Sequence, residues 1–281
     1  MSAVTSRPRI SGVASAVTAE SVMAGAALAA LLLRAAGSAV RAAARPALRA
    51  VTEGVIPPLR AARDQETSSL AAVAGAAGSL AATDRIRVEA AASLAGYVVA
   101  DVQRLAAPLR ALRAAVTPAQ AMRAREDLLQ AVRVEHGTLF TRCVVSACAR
   151  AADTLGFSAV DTRVTADGTV RIVAEHPAGH ALVSELRTSA EGDAALETEV
   201  IGVYDGSCGD ILDRFDAALE AAGVRSSAPA RTCTGGVCQL AAARDFVGGI
   251  LRPKPEARVP AASEHAHARR RNVRPQASQR G

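Results

Sequence analysis

At 281 residues the chain is long enough for one large or two ordinary domains, yet it holds only six aromatic residues and no Trp, so packing must rest on Ala, Val and Leu. The net charge of +6 is unevenly spread: residues 1–63 carry eight Arg against two Glu, residues 252–281 carry eight Lys and Arg against two Glu, and the span between them is net −6. Basic ends on an acidic middle suit contact with anionic lipid, nucleic acid or a neighbouring molecule, while five cysteines, an odd count, exclude a fully paired disulfide framework and point to the reducing cytoplasm.

Residues 1–17, with Pro8, Gly12 and scattered Ser, read as disordered. A helical arm is predicted over 18–136, with breaks near Pro46, Pro57–Pro58, Pro108 and Thr117. Its first helix runs from about Thr18 to Ala44 and aligns Arg34, Arg41, Arg45 and Arg49 on one side, a basic face for anionic membrane or nucleic acid. The apolar run Val22–Leu33 is only twelve residues, against about 20 for a membrane span. Glu20 ahead of it is out of place in a signal peptide.

Further on, Leu94, Val98, Val102, Leu105, Leu109, Leu112 and Val116 step by three and four, a heptad-like seam suited to helix pairing or a coiled coil, with Pro108 kinking it. Thr117, Pro118 and Gln120 supply an N-cap, a proline at the first helical position and a capping-box partner, so a new helix starts there. Gly137 is read as its end and Thr138 as the cap of the next helix, which presents Phe140, Val144, Ala147 and Cys148 on one face and stops at Gly156.

From Phe157 to Tyr204 the texture changes to four short alternating runs, predicting an antiparallel meander. For the first hairpin, a three-residue loop Ala166–Gly168 with a left-handed Gly168 sets Val164 opposite Val170 and Thr162 opposite Ile172, which keeps like faces together. Strands follow over about Ala181–Thr188 and Leu196–Tyr204. A closing helix is capped at Ser207, carries Ile211, Leu212, Phe215 and Leu219 as a stripe, and ends at Gly223. The fold class is therefore α+β: a long Ala-rich helical region, then a helix, four-stranded meander and helix over 138–223 with helices on one sheet face. A Cys-containing loop and short helix occupy 224–251, and 252–281 reads as a disordered basic tail.

Chemistry-bearing residues are few. Asp205, Gly206, Ser207, Cys208 and Gly209 form a small-residue turn into the closing helix, a candidate binding site, where the helix dipole would lower the Cys208 thiol pKa. Cys233 and Cys238 are separated by a four-residue spacer in a flexible loop; with Cys208 and a histidine such as His176 or His180 they would make a redox or zinc site, and by themselves a disulfide. Cys143 and Cys148 diverge around one helix and read as core. Glu185, Glu197 and Glu199, alternating with apolar strand residues and accompanied by Arg163, Arg171 and Arg187, read as a solvated sheet face rather than catalytic carboxylates. Arg269, Arg270 and Arg271 would add salt-sensitive phosphate affinity without base readout. No nucleotide loop or catalytic triad is present, and no small-molecule substrate is evident.

The expectation is a non-enzymatic intracellular interaction, adaptor or regulatory protein whose helical arm associates with itself or a protein partner and whose α+β domain presents a binding surface. The alternative is a thiol-based redox or zinc module built on Cys208, Cys233 and Cys238. A further alternative is nucleic-acid or anionic-membrane association through the basic ends.

Overall fold

The computed structural model describes residues 4–14, 23–34, 36–48, 55–203, 206–233 and 237–247. Arg49, Asp205 and Arg269–Arg271 lie outside them, as does the whole tail. The class is α+β, with one large antiparallel sheet and helices over it.

The helical half is built from α1 (Gly25–Leu32), α2 (Ser38–Leu48), α3 (Leu59–Ala77), α4 (Ala82–Leu94) and α5 (Ala106–Ala114). Together with the first part of α6 (Pro118–Thr154) they enclose one apolar cluster in which alanines such as Ala29, Ala44, Ala91 and Ala121 stand among Leu28, Leu94, Leu112 and Leu128. Small side chains let backbones approach closely: an added Cβ on Gly25 would meet the Leu94 carbonyl oxygen at 1.7 Å. Two short strands, β3 (Met23–Ala24) and β5 (Val98–Val99), pair beside it.

Three expectations for this half are corrected. The predicted seam is not one helix: Leu94 ends α4, Val98 lies in β5, Val102 and Leu105 form a 3-10 turn, and Val116 is exposed. Pro108 falls in the first turn of α5, where its missing N–H costs no helical bond. Pro46 lies inside α2; it and Ala42, whose carbonyl lacks the usual donor, are both on the exposed side, where that carbonyl is not buried without a partner.

Helix α6 joins the two halves. Its N-terminus carries the expected capping box, Thr117 Oγ1 accepting from the Gln120 N–H at 3.3 Å. Contrary to expectation, Gly137 does not end it. A single Gly costs about 1 kcal/mol against Ala, and the helix is anchored on both sides: Leu128 and Val132 in the helical core, Leu139, Phe140, Val144 and Cys148 in the sheet core. The stop does come at Gly156, with φ +84°.

The meander is β6 (Ala159–Val164), β7 (Val170–Glu175), β8 (Ala181–Thr188) and β9 (Ala194–Ile201). Its register matches the expectation, Val164 opposite Val170 and Thr162 opposite Ile172, with Gly168 at φ +81°. The Asp167 carboxylate locks this turn by accepting from Thr169 N–H at 3.3 Å and Thr169 Oγ1 at 3.0 Å, and from Thr165 Oγ1. Helix α7 (Cys208–Ala221) packs with α6 on one face, through Leu212, Phe215 and Leu219.

Residues 4–14, expected to be disordered, instead form β1 (Val4–Arg7) and β2 (Arg9–Ala14), both antiparallel to β9. They read as one strand interrupted at Pro8, which has no N–H but whose carbonyl accepts from Leu196 at 3.2 Å. Beyond them lie β4 (Val55–Ile56) and β10 (Val224–Ser226) on β2, and β11 (Ala230–Cys233) on β1. The order is β10-β2-β9-β8-β7-β6, so β6 is one edge. The opposite face of the sheet is covered as well, by α8 (Ala241–Val247), so helices are not confined to one face.

Candidate functional site at the β6 edge

Strand alternation decides what β6 offers. Thr165 N–H donates to Thr169 O at 2.9 Å, so the residues at alternate positions, Arg163 and Asp161, turn their backbone groups toward β7. Val160, Thr162 and Val164 therefore turn theirs toward the open edge. The side chains of these three share the inner face with Ala174, Ile172 and Val170, their opposite numbers in β7. The β7 residues are buried under α6, whereas Val160 is 40 % exposed and Val164 70 %.

What α6 leaves uncovered is a groove of about 640 Å³ between its middle turns and the β6–β7 hairpin. Val134, Thr138, Thr141 and Val145 form one wall, Thr162 and Val164 the other, and Leu59 with Arg63 closes an end. Val134 is 55 % exposed. Three Arg and no carboxylate line the groove. Arg133 is committed to Glu66, Nη2 to Oε2 at 3.1 Å, and its Nε donates to the Tyr97 hydroxyl. Among the described residues, no ion pair joins Arg63 or Arg142 to a carboxylate. The arrangement can hold an extended chain by backbone pairing and alternating side chains, with a preference for negative charge.

Other residues singled out from the sequence are dispersed. Gly206 takes φ +84°, a conformation that favours glycine, ahead of α7. Cys208 opens that helix as expected, but it is 0 % exposed and packed with Leu212 and Phe215, out of reach of a dissolved reagent. Cys233 is exposed in β11, opposite Val4. Cys238 is half-buried on the far face of the sheet, its thiol pKa pushed up by burial and by the Glu199 carboxylate. Cys208 and Cys238 thus lie on opposite faces, which corrects the idea that they act jointly. Cys233 and Cys238 are free thiols, and no group of three or more His, Cys, Asp or Glu among the described residues is arranged to hold a metal ion. His176 and His180 stack at 4.2 Å, with their edges toward Phe157. Cys143 and Cys148 are buried core residues, as read, and burial pushes the Cys148 pKa up to about 12. Arg34 follows α1, and Arg41 with Arg45 lies along the exposed side of α2. No helix among the described residues is long and apolar enough to cross a membrane.

The carboxylates expected on a solvated face require the largest correction. Glu185 is 1 % exposed and Glu199 0 %. Glu199 accepts from the N–H groups of Gln239 at 3.0 Å and Leu240 at 2.9 Å, and Glu185 accepts from Ala242 N–H at 2.9 Å. They pin the start of α8 to the sheet, beside Leu240 and Ala243 packed on Val173, Val183 and Ile201. Arg171 adds a bond to Asp245 at 2.7 Å. In the sequence these carboxylates have the spacing of any half-exposed strand; Arg171 and Arg187 do pair with Glu185, but the backbone partners lie 40 to 57 residues away.

Two more buried groups carry no motif. His136 sits on α6 with Nε2 donating to Pro57 O at 2.9 Å, while Nδ1 accepts from the Val98 N–H at 3.0 Å. Burial holds its pKa below the ordinary value. Tyr97 donates to Glu66 Oε2 at 2.6 Å, and burial with that bond pushes its pKa up to about 12. Comparison of the chain with protein-family models, with curated proteins and with solved structures found no match.

Proposed function

We propose that this is a non-enzymatic interaction or adaptor protein of the cytoplasm, which binds protein through the open β6 edge and the adjoining groove. One observation carries the reading: an edge strand whose outward N–H and C=O groups have no neighbouring strand among the described residues and whose inner-face valines are left uncovered by the helix above them. Such an edge is a template for another strand unless it is blunted by proline, a bulge or an inward-facing charge. β6 has no proline and runs in unbroken register with β7, and its charged residues, Asp161 and Arg163, sit on the sheet face away from α6.

The test is site-specific photocrosslinking of the full-length chain in its own cells. A photoreactive residue at Val164 is expected to give a protein adduct that disappears when Thr162→Pro is added, because that change removes one outward N–H. The same residue at Ala42, on the exposed side of α2, serves as a background control. Adducts at position 164 no stronger than at 42, or unchanged by Thr162→Pro, would overturn the proposal.

A further inference from the structure

We infer that the occupant of the β6 edge is β6 of a second copy of this chain, paired antiparallel about a two-fold axis through Thr162. The inference rests on the interaction reading above and names its partner. A two-fold interface must be self-complementary: whatever residue i meets on the partner, that residue must meet i in return. The stretch Val160-Asp161-Thr162-Arg163-Val164 meets this condition. Turned end for end about Thr162, it sets Val160 against Val164 and Asp161 against Arg163, twice over.

Backbone parity is satisfied in the same register. Residues in a hydrogen-bonded antiparallel pair both point their N–H and C=O toward the partner strand. On the free edge these are Val160, Thr162 and Val164, and pairing about Thr162 joins Thr162 to its equivalent and Val160 to Val164, so each outward donor and acceptor finds its counterpart. Asp161 and Arg163 then meet in the other kind of pair, where side chains come closest. They already bond within the chain at 2.9 Å, so two copies would form a closed ring of alternating charge on the outer face. Moving the axis by one residue keeps the backbone groups in line but sets Asp161 against Asp161 or Arg163 against Arg163, so the charges reject those registers.

The other end of the sheet shows what a protected edge looks like in this protein. β10 is three residues long, its pairing with β2 shifts register between Arg225 and Ser226, and Pro229 follows shortly after. No such device is found on β6. An unrelated partner would have to supply an apolar, charged, polar, oppositely charged, apolar strand of the right polarity; a second copy supplies it by construction. The inner-face valines of both copies would cover one another and the two grooves would run together.

The test uses the full-length chain, with light scattering across a concentration series and native mass spectrometry. Wild type is expected to be a dimer. Asp161→Arg alone and Arg163→Asp alone each place like charges opposite one another and should weaken the dimer by about tenfold or more. Mixing these two variants should restore association as a heterodimer, since one strand then carries arginine at both positions and the other aspartate at both. Val164→Arg, at a position exposed in the single chain, should also give monomer while leaving the circular dichroism spectrum unchanged. A wild type that is monomeric at every concentration, a dimer indifferent to the three variants, or a mixture that fails to pair would overturn the inference. If the Val164 adducts of the preceding experiment contain a different protein and the chain is monomeric, the interaction reading stands and self-pairing falls.

Discussion

The two halves of the molecule bury charge in opposite ways. In the helical half, Glu66, Arg133 and Tyr97 bond to one another and His136 bridges two backbone segments, so side chains from α3, the turn before β5 and α6 are tied together where the many alanines bury little area. In the sheet half the apolar core is made of larger residues, including Phe140, Phe157 and Phe215, and the buried carboxylates face outward from it to receive the backbone N–H groups that begin α8. Charge in the first half substitutes for bulk; in the second it docks a covering segment.

The largest expected difference between the halves lies in their apolar cores. Phe215→Ala, at a side chain 1 % exposed, should lower the unfolding free energy by about 3–5 kcal/mol in urea titration. Ala91→Gly, equally buried in α4, should cost only about 1 kcal/mol, since little more than helix propensity is lost. Similar losses at the two sites would mean that the alanine-built half is not the more weakly packed one.

Next in size is Glu199→Ala, which leaves the Gln239 and Leu240 N–H groups without their acceptor at a cost of about 1–3 kcal/mol. Its signature is local: hydrogen exchange should rise over 239–247 while β7 and β8 stay protected. Tyr97→Phe removes bonds to a carboxylate and from a guanidinium, and should cost about 1.5 kcal/mol without affecting α8. Exchange that rises equally in both halves for either variant would show that the two networks are coupled.

The smallest effect separates the halves by sign. Burial lowers the folded-state pKa of His136 below 6.5, so its contribution is present above that pH and is lost as pH falls through the folded value. Burial raises the pKa of Glu199 above 4.5 and that of Asp216 above 3.8, so their contribution is full below those values and is lost as pH rises through the folded ones. Acidification from pH 7 toward 4.5 should therefore remove the His136 contribution to global stability and add that of Glu199, even though a protonated Glu199 is a poorer acceptor for the Gln239 and Leu240 N–H groups. In urea titrations across that range, the stability of wild type relative to His136→Gln should fall on acidification and that of wild type relative to Glu199→Gln should rise; the same sign for both would contradict the assignment.

Much of the sheet is legible in the sequence because its information is local. Alternation in β6, β7 and β8 and the Asp167-Gly168 turn set register between neighbours along the chain, and the stripe Leu212, Phe215, Leu219 marks α7. The edge is legible only in part: Val160, Thr162 and Val164 can be assigned to one face, but nothing in their spacing says that α6 stops short of covering them. Strands β1 and β2 escape such a reading because Pro8, Gly12 and Ser are poor strand signals and their partner, β9, lies more than 180 residues away. Gly137 misleads for a related reason, since packing against two cores outweighs a single unfavourable propensity.

Local patterning carries the α+β class, the register of the first hairpin and the glycine stop after α7, because turn glycines and period-two alternation act over a few residues, whereas the Ser207 side chain makes no capping bond at the start of α7. Tertiary packing alone buries Glu185 and Glu199, sets Cys208 and Cys238 on opposite faces, and leaves β6 without a second neighbouring strand among the described residues. Those facts depend on which distant segments come to lie over a given residue, and burial by a remote neighbour leaves no trace in local spacing.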